Sequence, residues 1–91
     1  MPLNAREMGL EKTIDSLREL MVQRFRVAKR PELIRLDEPL FSAGVGLSSL
    51  EGMELLAELE RRYGVEIEDL DRWVDESPTL EKVAGYLIER S

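Results

Sequence analysis

Two adjacent serines, Ser48 and Ser49, are the residues of this sequence best placed to take part in chemistry. Ser48 precedes Glu51 by three positions, the spacing of a capping box, which predicts Ser48 as the N-cap of a helix and Ser49 as its first residue. The start of a helix carries unpaired backbone N–H groups and the positive end of the helix dipole, and this arrangement suits a phosphate group. The pattern therefore predicts a serine hydroxyl beside a phosphate-binding helix end.

Most other catalytic chemistry lacks its usual residues in this chain. The 91 residues include no His and no Cys, which excludes disulfides, thiol chemistry, the usual zinc ligands and the commonest general base. A serine nucleophile would lack a recognisable base, and we predict no catalytic residue and no metal site. We expect that the chain is not an enzyme and that any thiol it uses arrives on a cofactor.

The formal net charge of −6 is distributed unevenly along the chain. Residues 1–48 carry eight basic and seven acidic side chains, whereas residues 49–91 carry five basic and twelve acidic ones. An acidic second half argues against nucleic-acid binding. It suits partners with basic docking patches, but the charge by itself is explained more simply as keeping a small domain in solution. No apolar run approaches the length of a membrane span and no signal peptide is recognisable, so we expect a cytoplasmic protein.

The element that must position the serines is an amphipathic helix from Ser49 to about Tyr63, which ends at Gly64, a good C-cap residue. Gly52, in its first turn, permits either close approach of an arm or partner, or tight packing against another helix. The residues predicted to face inward are Leu50, Met53, Leu56, Ala57, Leu59 and Tyr63.

The rest of the chain predicts a single all-α domain, 1–91, without strand signals. Its other segments are a loose lead-in over residues 1–9, a helix from Leu10 to about Val27, a loop from Pro31 to Gly46, a short helix from about Asp69 to Val74, and a last helix opened by Ser77-Pro78 with Thr79 as a competing cap. The first helix has an inward stripe of Leu10, Ile14, Leu17, Met21 and Phe25, and the loop is pinned by Leu33, Ile34, Leu36, Leu40 and Phe41.

One apolar core is expected to join these segments. Trp73 is favoured as a core anchor over a role in lining a pocket. Because the core uses most of the large apolar residues, we expect no large exposed apolar stripe and a monomeric protein. The residues predicted to meet in this core are Leu17, Phe25, Phe41, Leu56, Leu59, Ile67, Val83 and Leu87.

The stretch around the two serines resembles the modification site of acyl carrier proteins. The family pattern Gly-x-Asp-Ser-Leu, followed by an acidic helix, is similar to Gly46-Leu47-Ser48-Ser49-Leu50 here. The similarity continues through Glu54-Leu55 and Leu59-Glu60 to Tyr63-Gly64-Val65-Glu66-Ile67, which resembles the family's aromatic-Gly-x-Glu-Ile segment. Ser48 replaces the family's Asp; it can cap the helix equally well but lacks the carboxylate that helps the family hold the metal–coenzyme A complex.

The resemblance implies a small four-helix bundle of acyl-carrier type, with three longer helices, one short helix and a long loop between the first and the second. It implies that Ser49 carries a 4′-phosphopantetheine arm from coenzyme A. The arm would hold an acyl group as a thioester, as in fatty acid or polyketide biosynthesis. The implied partners are a phosphopantetheinyl transferase and enzymes that load or process the cargo. Their candidate docking contacts are Leu50, Glu51, Met53, Glu54 and Glu58.

Two alternatives to an acyl carrier stay open at this point. One is an aminoacyl or peptidyl carrier of the same fold, since these carriers vary more at the position of Ser48. The other is an unmodified protein-interaction module, which would need neither coenzyme A nor Ser49. The identity of the cargo, the pathway and the particular partner enzymes are not readable from the sequence.

Overall fold

The computed structural model describes residues 2–26, 30–41, 46–68, 70–76 and 78–90. Its helices are α1 (Ala5–Phe25), α2 (Ser49–Tyr63), α3 (Leu70–Glu76) and α4 (Leu80–Arg90), with a short 3-10 turn at Pro31–Leu33. Three of the helices are long, and α3 has only seven residues. The described ranges contain no strand, only isolated bridges between Pro39 and Thr79 and between Phe41 and Leu47. The predicted all-α class is confirmed.

Helix α1 consists of a short first turn from Ala5 and, after a break at Gly9, a continuous helix from Leu10, which is the predicted start. The Asn4 side chain caps it by accepting a hydrogen bond of 3.2 Å from the backbone N–H of Glu7. Gly9, with a φ of 85°, interrupts the helical backbone. The buried Thr13 hydroxyl donates to the Ala5 carbonyl at 3.4 Å, so the carbonyl at the interruption keeps a partner.

The inward stripe of α1 is largely as predicted. Ile14, Leu17 and Met21 are buried and Phe25 is half-buried, but Leu10 is 47% exposed and lines an open surface groove. The helix ends at Phe25, and the predicted end at Val27 lies outside the described residues.

The segment between α1 and α2 packs against both α1 and α4. The Arg18 side chain donates to the Ile34 carbonyl at 2.9 Å, and the Leu40 N–H donates to the Pro78 carbonyl at 3.1 Å. Ile34, Leu40 and Phe41 are buried as predicted. Leu33 and Leu36 were expected to pin the segment as well, but both are exposed, because backbone hydrogen bonds hold this part in place of apolar side chains.

Helix α2 has the predicted bounds, Ser49–Tyr63, and ends at Gly64 with a φ of 64°. Its buried residues are Gly52, Leu55, Leu56, Leu59 and Tyr63. The prediction that Leu50 and Ala57 face inward is wrong, and Met53 is only half-buried. At 100° per residue these three lie on the side of the helix opposite the buried row, and Leu55, which the prediction left out, lies within that row.

Helix α4 begins at Leu80, after the predicted Ser77-Pro78 opening. Thr79, the competing cap, accepts a 3.2 Å hydrogen bond from the Lys82 N–H through its hydroxyl oxygen. Pro78 and Thr79 precede the helix because they pair with the loop segment, through the Pro78 carbonyl and the Pro39–Thr79 bridge. Ser77, the other predicted cap, and Asp69, the predicted start of the short helix, lie outside the described residues.

One apolar core joins the helices, and α4 packs chiefly against α1. Seven of the eight residues predicted for the core are buried in one cluster, and Phe25 packs against its edge. The seven are Leu17, Phe41, Leu56, Leu59, Ile67, Val83 and Leu87. Among the helices described, none combines the length and the apolar character needed to cross a membrane.

Candidate functional site

Gly46 and Leu47 lead into the start of α2. Gly46 has a φ of 93°, a backbone conformation that residues with a side chain rarely adopt. The next residue, Leu47, is buried, and its N–H donates to the Leu40 carbonyl at 3.1 Å. The Gly46 conformation and this anchor fix the direction in which Ser48 and Ser49 leave the core.

Ser48 is the N-cap of α2, as the spacing predicts. Its hydroxyl oxygen accepts a 3.1 Å hydrogen bond from the Glu51 N–H, and its own N–H donates to the Glu51 carboxylate at 3.0 Å. Both halves of the capping box are therefore formed. The Ser48 hydroxyl therefore stabilises the start of α2.

Ser49 is the first residue of α2 and is exposed. In the described part of the chain its hydroxyl has no hydrogen-bond partner, in contrast to that of Ser48. The backbone N–H groups of Ser49 and Leu50 also have no acceptor among the described residues. An exposed hydroxyl at the positive end of a helix, beside two N–H groups without a described acceptor, is a favourable place for a phosphate group.

Gly52 lies beneath this helix end, in contact with the Phe41 ring. A Cβ atom at position 52 would lie 2.9 Å from the Phe41 Cδ1 atom and still closer to Cε1. Both residues are buried. Of the two interpretations of Gly52, tight packing is the one that the structure supports, and the partner is the loop residue Phe41 where the sequence suggested another helix.

The predicted docking residues of α2 occupy different surroundings. Leu50 is 71% exposed, Met53 is half-buried and Glu54 is exposed, and the three share one side of the helix. Ala57 and Arg61 lie on the same side, one and two turns further along, and are also exposed. The prediction that Ala57 faces the core is wrong, and the helical period places Ala57 and Arg61 on the same side of α2 as Leu50.

Glu51 and Glu58 lie at the edge of this side and are engaged within the helix. Glu51 completes the capping box with Ser48. The Glu58 side chain is only 12% exposed; it accepts hydrogen bonds from both Arg61 and Arg62, with the Arg62 Nε atom at 3.2 Å. The two arginines offset the charge of Glu58, so Glu54 is the exposed acid nearest the middle of this surface.

Trp73, on α3, is half-buried at the edge of the core. Its ring meets the Tyr86 ring edge-on, with 4.7 Å between centroids. Both rings line a surface pocket of about 410 Å³ between α3 and α4, together with Pro78, Lys82 and Gly85. The structure thus gives Trp73 a packing role and a place in a pocket wall, and no α2 residue lines that pocket. Among the described residues, no group of three or more acidic side chains is arranged to hold a metal ion.

A family model described as the phosphopantetheine attachment site matches residues 15–87 of this chain. The matched range is well over half of the chain and includes Ser49. Comparison with curated proteins and with solved structures gave no match.

Proposed function

Since this chain belongs to the phosphopantetheine-attachment family, we propose that it is an acyl carrier protein with its arm on Ser49. The family carries 4′-phosphopantetheine as its prosthetic group, and this group supplies the thiol that a sequence without Cys lacks. The chain would hold an acyl intermediate as a thioester and present it to partner enzymes. The arrangement of the helices is proposed to be the four-helix bundle of acyl-carrier type.

The observation that carries the assignment of Ser49 is the difference between two neighbouring hydroxyl groups. The Ser48 hydroxyl is used in the capping box, whereas the exposed Ser49 hydroxyl is not bonded to any described residue. The N–H groups of Ser49 and Leu50, which have no acceptor among the described residues, favour a negatively charged phosphodiester at this point. The described residues place no base against the Ser49 hydroxyl, so the modifying transferase must supply the base that takes its proton.

The surface proposed for partner docking is the exposed side of α2 beside Ser49. Leu50 and Met53 provide apolar contacts, and Glu54 provides a negative charge for a basic patch on the partner. Glu51 and Glu58 contribute less as independent contacts because their carboxylates already bind groups of this protein. The Glu51 carboxylate accepts from the Ser48 N–H, and that of Glu58 pairs with Arg62. Arg61, two turns beyond Glu54, adds a positive charge to the same side, which favours a dedicated partner set.

An acyl cargo is proposed over an aminoacyl or peptidyl one because the second half of the chain is strongly acidic. Acyl carriers tend to share this charge. The pathway, fatty acid or polyketide, depends on the partner enzymes and is not part of the proposal.

The test is an intact-mass assay of the apo protein with magnesium, coenzyme A and a broad-specificity phosphopantetheinyl transferase. The variants are Ser49→Ala, which removes the proposed attachment point, and Ser48→Ala, which removes only the cap hydroxyl. We expect one phosphopantetheine on the wild type and on Ser48→Ala, and none on Ser49→Ala. Modification that is lost only in Ser48→Ala would overturn the assignment to Ser49.

The second candidate function is an unmodified protein-interaction module. The presence of Ser48 at the position of the family's Asp favours it. Ser48 caps the helix but lacks the carboxylate of the family's Asp. Ser48→Asp restores that charge and keeps the cap, since Ser and Asp are near-equal N-caps. If neither the wild type nor Ser48→Asp gains mass with two different transferases, the interaction module replaces the carrier as the better proposal.

A further inference from the structure

A groove lies between α1 and the segment that precedes α2, and none of the residues proposed for partner docking lines it. It has a volume of about 370 Å³ and is lined by Leu10, Glu11, Ile14, Asp15, Arg18 and Leu36. The five α1 residues form two neighbouring rows at i, i+4 spacing. One row contains Leu10, Ile14 and Arg18, and the other contains Glu11 and Asp15. Leu36 faces both rows from the opposite side of the groove.

Three of the six residues that line the groove are apolar, and the other three are charged. Ile14 is buried, whereas Leu10 and Leu36 are 47% and 40% exposed. A single half-exposed leucine needs no explanation, but these two line one cavity. A side chain placed between them would remove apolar area of both leucines from water, which favours binding in proportion to that area.

The charges beside the groove are mainly negative. Glu11, Asp15 and Glu19 are exposed and follow one another at i, i+4 spacing along α1, so they repel each other. Arg18 is the one basic residue in the lining; it donates to the Ile34 carbonyl and lies 3.6 Å from the Asp15 carboxylate. Glu11 and Glu19 form no ion pair with a described residue, so they are available to attract basic side chains of a partner.

The groove is separate from the proposed attachment site. None of its lining residues belongs to α2. Two hydrogen bonds join α2 to the N-terminal part of the chain: the Arg62 carbonyl accepts from the Leu3 N–H, and the Tyr63 hydroxyl donates to Ser16 on α1. Both α2 residues lie at the end of the helix away from Ser49. Ser49 and Tyr63 are separated by fourteen steps of 1.5 Å, or roughly 20 Å of helix.

We propose that this groove binds a basic amphipathic helix of a partner protein. An apolar side chain of that helix would lie against Leu10, Ile14 and Leu36, and its Lys or Arg residues would pair with Glu11 and Glu19. The chain would then have a second docking surface, able to hold a partner while the Ser49 side is engaged with an enzyme.

The test titrates the isotope-labelled full chain with a synthetic helix-forming peptide that has leucines along one side and lysines beside them, followed by NMR. The variants are Leu10→Ser and Glu11→Lys, and the matched controls are Leu33→Ser, an exposed leucine outside the groove, and Glu54→Lys, an exposed acid on α2. We expect shifts at Leu10, Glu11 and Leu36, about tenfold weaker binding in each groove variant, and less than about twofold change in the controls. A peptide with Glu in place of Lys should not bind.

Shifts centred on Leu50 and Glu54, or equal losses in the control and the groove variants, would overturn the proposal. So would self-association of the protein that Leu10→Ser abolishes, since the occupant would then be a second copy of this chain. Circular dichroism checks that each variant is folded. Addition of phosphopantetheine to Leu10→Ser and Glu11→Lys should be unchanged, so a failure of peptide binding leaves the carrier proposal standing.

Discussion

The hydroxyl groups of Ser48 and Ser49 have different surroundings although the residues are neighbours. Ser48 accepts from the Glu51 N–H, and Ser49 faces solvent without a described partner. The spacing of Ser48 and Glu51 was sufficient to predict this division, because a capping box is a local interaction that depends on four consecutive residues. The role of Gly52 was not predictable in the same way, since its partner Phe41 is eleven positions away in a loop.

We predict that Gly52→Ala destabilises the protein. Alanine is the better helix former by about 0.8–1 kcal/mol, but its Cβ atom would overlap the Phe41 ring, whose Cδ1 atom lies 2.9 Å away. The overlap should outweigh the propensity gain and lower the free energy of unfolding by about 1–3 kcal/mol. Urea denaturation followed by circular dichroism measures the change.

Gly85→Ala is the matched control for this prediction. Gly85 lies within α4 and is exposed, and a Cβ atom there would meet nothing within 4 Å. It should raise the free energy of unfolding by about 0.5–1 kcal/mol. If Gly52→Ala were stabilising to the same degree, the contact with Phe41 would not be tight.

The bounds of α2 were predictable from the sequence, but its rotation about its own axis, which decides which side faces the core, was not. Ser48 and Gly64 mark its two ends with local signals. The apolar residues of α2 include rows on both sides of the helix, and one sequence does not say which row the core covers. The structure buries the row that contains Leu55 and Leu59 and leaves Leu50 exposed, so the exposed row becomes the proposed docking surface.

The two acids of α2 at positions 54 and 58 should therefore respond differently to mutation. Glu54 is exposed, so Glu54→Gln should raise the KM of a phosphopantetheinyl transferase for the carrier about two- to fivefold, by loss of one rim charge. The Glu58 carboxylate forms ion pairs with Arg61 and Arg62. Glu58→Gln should lower the free energy of unfolding by about 0.3–1 kcal/mol with a smaller effect on KM. Equal effects of both variants on KM would contradict this division.

The start of α4 also shows why element boundaries are hard to predict. Ser77-Pro78 is a good local opening, yet the helix begins at Leu80. The Pro78 carbonyl accepts from the Leu40 N–H, and the Glu81 N–H donates to the Leu36 carbonyl. These bonds join residues about 40 positions apart, and such long-range pairs leave no periodic signal in the sequence.

Hydrogen bonds join the described helices at two further places. The segment before α2 bonds with residues at the start of α4, and Leu3 and Arg6 bond with carbonyl groups near the ends of α2 and α4. Both connections are made largely through backbone groups. The helices were predictable because their apolar residues recur with a strong helical period. The contacts of residues 1–9 were not, because backbone hydrogen bonds do not depend on particular residue types, and the sequence therefore indicated only a loose lead-in.

We predict that deletion of residues 1–8 lowers the free energy of unfolding by about 2–3 kcal/mol. The deletion removes the buried Ala5, the half-buried Met8, the bond from the Leu3 N–H to the Arg62 carbonyl and the bond from Arg6 to the Glu89 carbonyl. Urea denaturation gives the change, and Asn4→Ala, which removes only the cap, should cost about 1 kcal/mol. The deletion leaves the start of α2 intact, so the mass gained from coenzyme A should be unchanged. A loss below about 0.5 kcal/mol would mean that these residues form the loose lead-in that the sequence suggests.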